Sequence, residues 1–411
     1  IQLLGDVPWL EVDLNVDSEE LYGPKMKRNQ VFQKIIEDLD FAIQWLPEAG
    51  SEEANRLNKD IARHVKARFC LNEGTHYKYH DELEYASEAE KWLQMAATES
   101  DKLITSGRYE IYNTGHPQED YFNMYRIDDK SDLKEAVLYV DYKTNIREHN
   151  MAAAGREAGC GFSKSFVESF LCSDGLPISL SNKYLGDETM RKETANRDPR
   201  LKQLILTNDF PTNVTDDLKD STFVVNEDEF ITQHCFTGYR PIKGFNPIYS
   251  QALYMKSSFD GIAYRYAETL LINAEAKAEL NTITNADLDR TVNQLRDRVG
   301  MPHLTVNVGF TDPKWPDWGY SLSPILQEIR RERCIELAGE GFRFNDLKRW
   351  KAGKVLNNVL TYVGKRKPDG NLAIVYPNYT NPDLSYQAGK SRTWEDKMYL
   401  YPIPTGELQR N

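Results

Sequence analysis

The residues with the clearest capacity for chemistry lie between Ser323 and Trp350, in SPILQEIRRERCIELAGEGFRFNDLKRW. At 100° per residue, Ile325, Leu326, Ile329 and Leu337 mark one broad apolar face of a helix. Glu332 and Glu336 fall in the middle of that face, with Arg333 beside them. A buried carboxylate must be paired or give up its charge. Arg333, Arg343 and Arg349 are the cations near in sequence, and Asp346 can join them. Two kinds of chemistry fit this pattern. Glu332 and Glu336 could be a catalytic carboxylate pair, as in glycoside hydrolysis. Alternatively Glu332, Arg333, Glu336, Arg343 and Asp346 form an internal ion network that locks two helices across a bend at Gly339–Gly341. The second reading is favoured, because no His or nucleophile accompanies the acids and each acid has an Arg in reach. On this reading, loss of Arg343 should lower stability sharply.

Other chemistry has less support. His76 and His80 stand four apart in THYKYH, which would put both on one helical face as half of a metal site. Tyr77 follows His76 where a helper carboxylate would be needed, so polar residues at a helix end are the preferred reading and no metal site is expected. AAAGREAGCG (152–161) has glycines but no following Lys-Thr or Lys-Ser, so it is not a phosphate loop. No G-x-S-x-G and no C-x-x-C occurs. The chain offers no catalytic residues, reads as a non-enzyme, and calls for no cofactor.

Aromatic loops remain. Sugar rings present apolar faces that stack on Trp and Tyr, and hydroxyls that bond to Asn, Asp, Arg or Lys. KWPDWGY (314–320) places Trp315, Trp318 and Tyr320 in a Pro-containing loop. It suits a stacking platform, or equally a plug onto the scaffold or a partner, since interfaces are also rich in Trp and Tyr. YKTNIREHN (142–150) follows a strand and offers Tyr142, Asn145, Arg147 and His149 as a second set of ligand contacts.

The elements that must position these residues are mainly helical. Val31, Ile35, Leu39 and Ile43 give a helix over 29–46. Asn58 can cap a helix over about 59–74, with Ile61, Val65 and Phe69 inward. Trp92, Ala96, Ala97 and Leu103 mark a third over 85–105. Ala267, Leu271, Ala274 and Ala278 make a small-residue stripe on a helix over 264–280, with 285–298 as its hairpin partner. Ser323 can cap the central helix, Pro324 suits its first turn, and a short helix follows from about Phe344. Short connections between helices predict antiparallel hairpins of the tetratricopeptide kind, without a strict repeat. Between 111 and 263 the pattern changes to short strand-like runs, EAVLYVDY (135–142) and STFVVN (221–226). DFPTNVTDDLKD (209–220) reads as an acidic surface excursion. From 352 to 411 the chain is again irregular.

Size and composition bound the answer. The 411 residues suffice for one large or two ordinary domains. A net charge of −12 argues against a nucleic-acid surface or an anionic membrane face. The 23 tyrosines exceed what a core needs and leave some for a binding surface. Five cysteines, an odd number, argue against a full disulfide framework. Cys70 and Cys334 sit in helical patterns as small buried residues. No apolar run is long enough to span a membrane.

ERCIELAGEGFRFNDLKRW also resembles the signature of the SusD/RagB family, nutrient-binding outer-membrane lipoproteins of Bacteroidetes-type bacteria. The matching pattern is ER, EL, EG, R, DL and RW at the same spacing. Further family-like stretches follow in order: GDVPW (5–9), DLDFAIQWLPEAG (38–50), NRDPRL (196–201), YRYAETLLINAEAKAE (264–279), LRDRVGMP (295–302) and LYPIPTGEL (400–408). The resemblance implies a mainly α fold, a degenerate tetratricopeptide-like helical scaffold capped by a loop-rich layer with short strands. Residues 1–411 then form a single SusD-like domain, with scaffold at about 29–105 and 264–351 and loop layer at about 111–263 and 352–411. It implies surface binding of oligosaccharide or polysaccharide, or of peptide, without cleavage. It implies delivery to a SusC-like TonB-dependent transporter, with the scaffold docked on the barrel and the loop face closing over ligand. GDVPW lies well inside the family pattern. The family's lipid-anchored cysteine and first helices are therefore expected before Ile1, and a short tail after Asn411. The membrane would be met only through that anchor.

Overall fold

The computed structural model describes residues 1–51, 55–152, 161–232, 234–374, 392–402 and 405–408. Cys160 and the glycine-bearing stretch 153–160 lie outside the described residues, as do 375–391, 409–411 and, within LYPIPTGEL, 403–404.

The principal helices are α1 (Arg28–Trp45), α2 (Lys59–Tyr79), α3 (Ala86–Thr105), α4 (Arg200–Leu204), α5 (Tyr266–Glu279), α6 (Asn285–Asp289), α7 (Val292–Arg298), α8 (Pro324–Glu336) and α9 (Arg343–Arg349). Helix α1 turns Val31, Phe32 and Ile36 inward, so its buried stripe is rotated from the one expected through Ile35 and Ile43. Asn58 caps α2: its Oδ1 accepts from the N–H groups of Asp60 and Ile61 at 3.0 and 3.1 Å. The helix runs past the expected end at 74. Gly74 is no stop there. A Cβ on it would lie 2.9 Å from Leu93 Cγ, so glycine lets α3 approach. Cys70, Leu71, Trp92, Leu93 and Ala96 fill the α2–α3 seam, closed by Ile272 and Ala276 of α5.

Helix α5 is buried nearly all round, and its stripe of Ala267, Leu271, Ala274 and Ala278 lies in a second core with Leu295 of α7 and Ile325, Leu326 and Ile329 of α8. The helix expected over 285–298 breaks at Arg290–Thr291 into α6 and α7. Pro324 occupies the first turn of α8. Ser323 stands at the cap position, but its side chain makes no capping bond. Gly339 and Gly341, at φ 75° and 84°, turn the chain into α9.

The strands are short: β1 (Ala136–Val140), β2 (Pro211–Val214), β3 (Ser221–Phe223), β4 (Gly261–Arg265), β5 (Val363–Arg366) and β6 (Leu372–Ile374), paired antiparallel as β1–β4, β2–β3 and β5–β6. The acidic excursion at 209–220 is thus half of the β2–β3 hairpin. The loop-rich layer has a core of its own, including Phe170, Leu201, Leu204, Tyr239, Ile242 and Phe245. Ile335 and Ala338 join it from the end of α8. Helix α8 therefore serves both cores, which places Glu332 and Glu336 at their boundary. The fold is mainly helical and tetratricopeptide-like, with a loop-rich layer on one side.

Candidate ligand-binding face

Glu336 is fully buried, and three arginines converge on it. Arg298 Nη2 donates to Oε1 at 2.7 Å and Oε2 at 2.6 Å, Arg265 Nη1 to Oε1 at 2.7 Å, and Arg200 Nη1 to Oε2 at 3.0 Å. Arg200 also donates to Glu332 and Asp198, and Arg296 Nε donates to Glu332 at 3.1 Å. Arg265 and Arg298 reach on to Glu135, and Arg265 with Lys243 to Glu340. Burial pushes the Glu336 carboxyl up, but Arg298, Arg265 and Arg200 together outweigh it and hold it well below the carboxylate range.

Arg333 and Asp346 belong to a second cluster. Arg333 Nε and Arg349 Nε each donate to Asp346 at 2.9 Å, and Arg349 forks onto Glu275 at 2.6 and 2.7 Å. The expected five-residue network is thus two networks, and Arg343 joins neither. Its Nη1 is buried without a hydrogen-bond partner, and its guanidinium lies 5.8 Å from the Trp318 ring and 5.9 Å from Trp350. The Gly339–Gly341 bend turns it toward aromatic rings instead of the acids.

The 314–320 loop packs back onto the scaffold. Trp318 is buried, its Nε1–H donates to Gln327 Oε1 at 2.6 Å, and its ring meets Trp350 edge to face at 5.5 Å. Tyr320 stacks on Tyr79 at 4.6 Å and its hydroxyl donates to the Trp350 carbonyl at 2.5 Å. Trp315 Nε1–H donates to Glu328 at 2.7 Å. Arg330 lies 4.2 Å from the Trp350 ring and 5.0 Å from that of Trp318. A sugar stacked on Trp318 would have to displace these contacts. Trp318 is thus closed to a stacked sugar, whereas Trp315 and Tyr320 stay half-buried.

The second set is brought together at the surface. Residues 143 and 147 exchange backbone hydrogen bonds at 2.9 Å, and Asn145 takes φ 64° at the tip of the turn. Tyr142 N–H donates to Asp260 at 2.7 Å, which anchors the hairpin beside β4. The Arg147 guanidinium lies 5.0 Å from the Tyr142 ring, and the Tyr142 and His149 rings are 4.5 Å apart. Asn145 and Arg147 are exposed; Tyr142 and His149 are half-buried. His149 Nε2–H donates to the Phe259 carbonyl at 2.8 Å and Nδ1 accepts from Met151 N–H at 3.1 Å. Burial lowers its pKa against the pull of the Phe259 carbonyl. His149 therefore shapes the hairpin, whereas Asn145 and Arg147 are exposed and Arg147 covers the half-buried Tyr142 ring.

Sequence reasoning misses the neighbouring arm at 249–258. It is stitched to the hairpin by backbone bonds between His149 and Ser257 and by a 3.0 Å ion pair from Lys256 to Glu148. It carries Tyr249 and Tyr254, 52% and 71% exposed. The available signal was two tyrosines five apart between Pro247 and Gly261, outside any long helical pattern. His76 and His80 are both buried and stack at 4.0 Å. Burial drives His76 far below the usual imidazole range. Among the described residues no group of three or more potential ligands could hold a metal ion.

Comparison with known proteins gives concordant results. The sequence model of the SusD family matches residues 98–411. The SusD-like protein P2 of Formosa agariphila is 23% identical over 424 residues, spanning all of this chain and 69% of the relative. A solved SusD-like protein of Bacteroides fragilis superposes with a TM-score of 0.71 at 24% identity, covering all of this chain and 74% of the other. A second from Bacteroides fragilis, described as a SusD-like carbohydrate binding protein, gives 0.69 at 22% identity over 99% of this chain and 75% of its own.

Proposed function

The chain belongs to the SusD family, and on that premise we propose that it holds an oligosaccharide at the cell surface and passes it uncleaved to a SusC-like TonB-dependent transporter in the outer membrane. The observation that carries the binding half is the 142–149 hairpin, where the exposed Arg147 lies over the half-buried Tyr142 and Asn145 is exposed at the turn, together with the arm stitched to it, which carries the exposed Tyr249 and Tyr254. Rings that take the apolar face of a sugar, with guanidinium and amide groups that bond its hydroxyls, are the equipment such a ligand needs. A relative of the same fold is itself described as carbohydrate-binding, which supports the same reading.

Hydrolysis by the buried acids has a physical obstacle. A glycosidase needs one carboxyl that is protonated and open to substrate. Glu336 is sealed and held ionised by three arginines. The transporter half of the proposal rests on the family, with a lipid anchor as the membrane attachment. No described helix is long and apolar enough to cross a membrane.

The test is equilibrium binding of the protein to a panel of oligosaccharides and, separately, a peptide pool, with each recovered ligand checked for shortening. Saccharide binding without products supports the proposal. Peptide binding alone, or products abolished by Glu336→Gln in a folded variant, overturns it.

A further inference from the structure

A cleft of about 370 Å³ lies between residues 110–113 and the loop at 127–135, on the edge of β1. Its lining includes the apolar Ile111, Ile127 and Leu133 and the half-buried Tyr112. Asn113, Asp129 and Asp132 are exposed members of the same lining. The cleft is braced rather than loose. Tyr112 N–H donates to the buried Glu135 carboxylate at 2.7 Å, and that carboxylate is held from behind by Arg265 and Arg298. Lys134, the one cation of the lining, is spent on a 3.0 Å ion pair with Glu110. Asp260 ties the cleft to the hairpin: it accepts from Lys130 N–H on one oxygen and from Tyr142 N–H on the other.

A cavity of this volume, lined by apolar side chains together with a few polar ones, has the form of a small-ligand site. Outside the Lys134–Glu110 pair its exposed charges are the carboxylates of Asp129 and Asp132, which accept hydrogen bonds from hydroxyls and repel sulfates and uronates. Resting on the glycan-binding reading above, we propose that this cleft is a second saccharide subsite, and that it takes an uncharged sugar unit. Tyr112 packs against the ring, Asn113, Asp129 and Asp132 bond its hydroxyls, and anionic glycans are turned away.

Calorimetric titration of the protein with neutral oligosaccharides and with sulfated and uronate-containing ones tests this, using Tyr112→Ala, Asp132→Asn and the hairpin variant Tyr142→Ala, each checked for an unchanged melting temperature. The expected result is neutral ligands bound, anionic ones not, and Tyr112→Ala weaker by about tenfold. Asp132→Asn, which keeps a bonding group but drops the charge, should gain measurable affinity for anionic ligands. Neutral binding within about twofold of the parent in Tyr112→Ala, but lost in Tyr142→Ala, overturns the cleft and leaves the hairpin reading standing. Anionic ligands bound as well as neutral ones overturn the charge selection. No saccharide bound by the parent protein overturns the glycan reading and the cleft together.

Discussion

Arg298 donates from one nitrogen, Nη2, to both oxygens of Glu336, at 2.7 and 2.6 Å, and neither residue reaches solvent. The contact ties α7 to α8 and sits where the scaffold core meets the core of the loop layer. Removing one partner of a buried ion pair leaves an uncompensated charge, at a cost on the order of 3–5 kcal/mol. Arg298→Ala is expected to lower the melting temperature by several degrees, and Arg343→Ala, which breaks no ion pair, by much less. Equal losses in thermal denaturation would contradict this placement of the two arginines.

The same network sets a pH dependence. Burial works against the charged forms of Glu336, Glu340 and Asp346, yet their arginine and lysine partners prevail and each carboxyl is lowered in the folded chain. The unfolded chain therefore binds more protons on acidification. The stability these groups supply is present above the ordinary glutamate value of 4.5 and is lost as pH falls below it. Melting temperature should hold from about pH 7 to about pH 5 and then drop steeply, with a shallower drop in Glu336→Gln. A flat acid limb would show the carboxylates are not held as described.

The resemblance and the ion network have a common physical root. Arg200 comes from NRDPRL, Arg265 from YRYAETLL, Arg298 from LRDRVG and Glu336 from ERCIELAGEG, so four of the recognised stretches meet at one carboxylate. The helices and the buried acids are legible because apolar spacing reports a face locally. The partners are not. Arg200, Arg265 and Arg298 lie 136, 71 and 38 residues from Glu336, and spacing favours the nearer Arg333, Arg343 and Arg349 instead. The aromatic loops show the same limit. Trp318 and Tyr254 both sit in irregular stretches, but one is 4% and the other 71% exposed, which only packing decides.

That contrast separates fold from binding. Trp318→Ala empties a buried site and should cost about 3–5 kcal/mol of stability while sparing affinity at temperatures where the protein stays folded. Tyr142→Ala and Arg147→Ala should weaken saccharide binding by about tenfold with little change in melting temperature. Titration and thermal denaturation on the same preparations check both. Loss of affinity confined to Trp318→Ala would return the binding role to the 314–320 loop.

A protein that hands its ligand to a transporter must contact it. On the proposed function, tagged protein purified in mild detergent from the membranes of its source cells is expected to carry a TonB-dependent barrel with it. Purification without any such barrel would break the transporter half of the account.

The central claim is that the protein holds a saccharide and does not cut it. Equilibrium dialysis against each binding oligosaccharide, followed by mass measurement of the ligand recovered from the protein side, tests this most directly. The account predicts saturable retention of ligand at its starting mass after prolonged incubation. Shortened products that accumulate with protein concentration would contradict it.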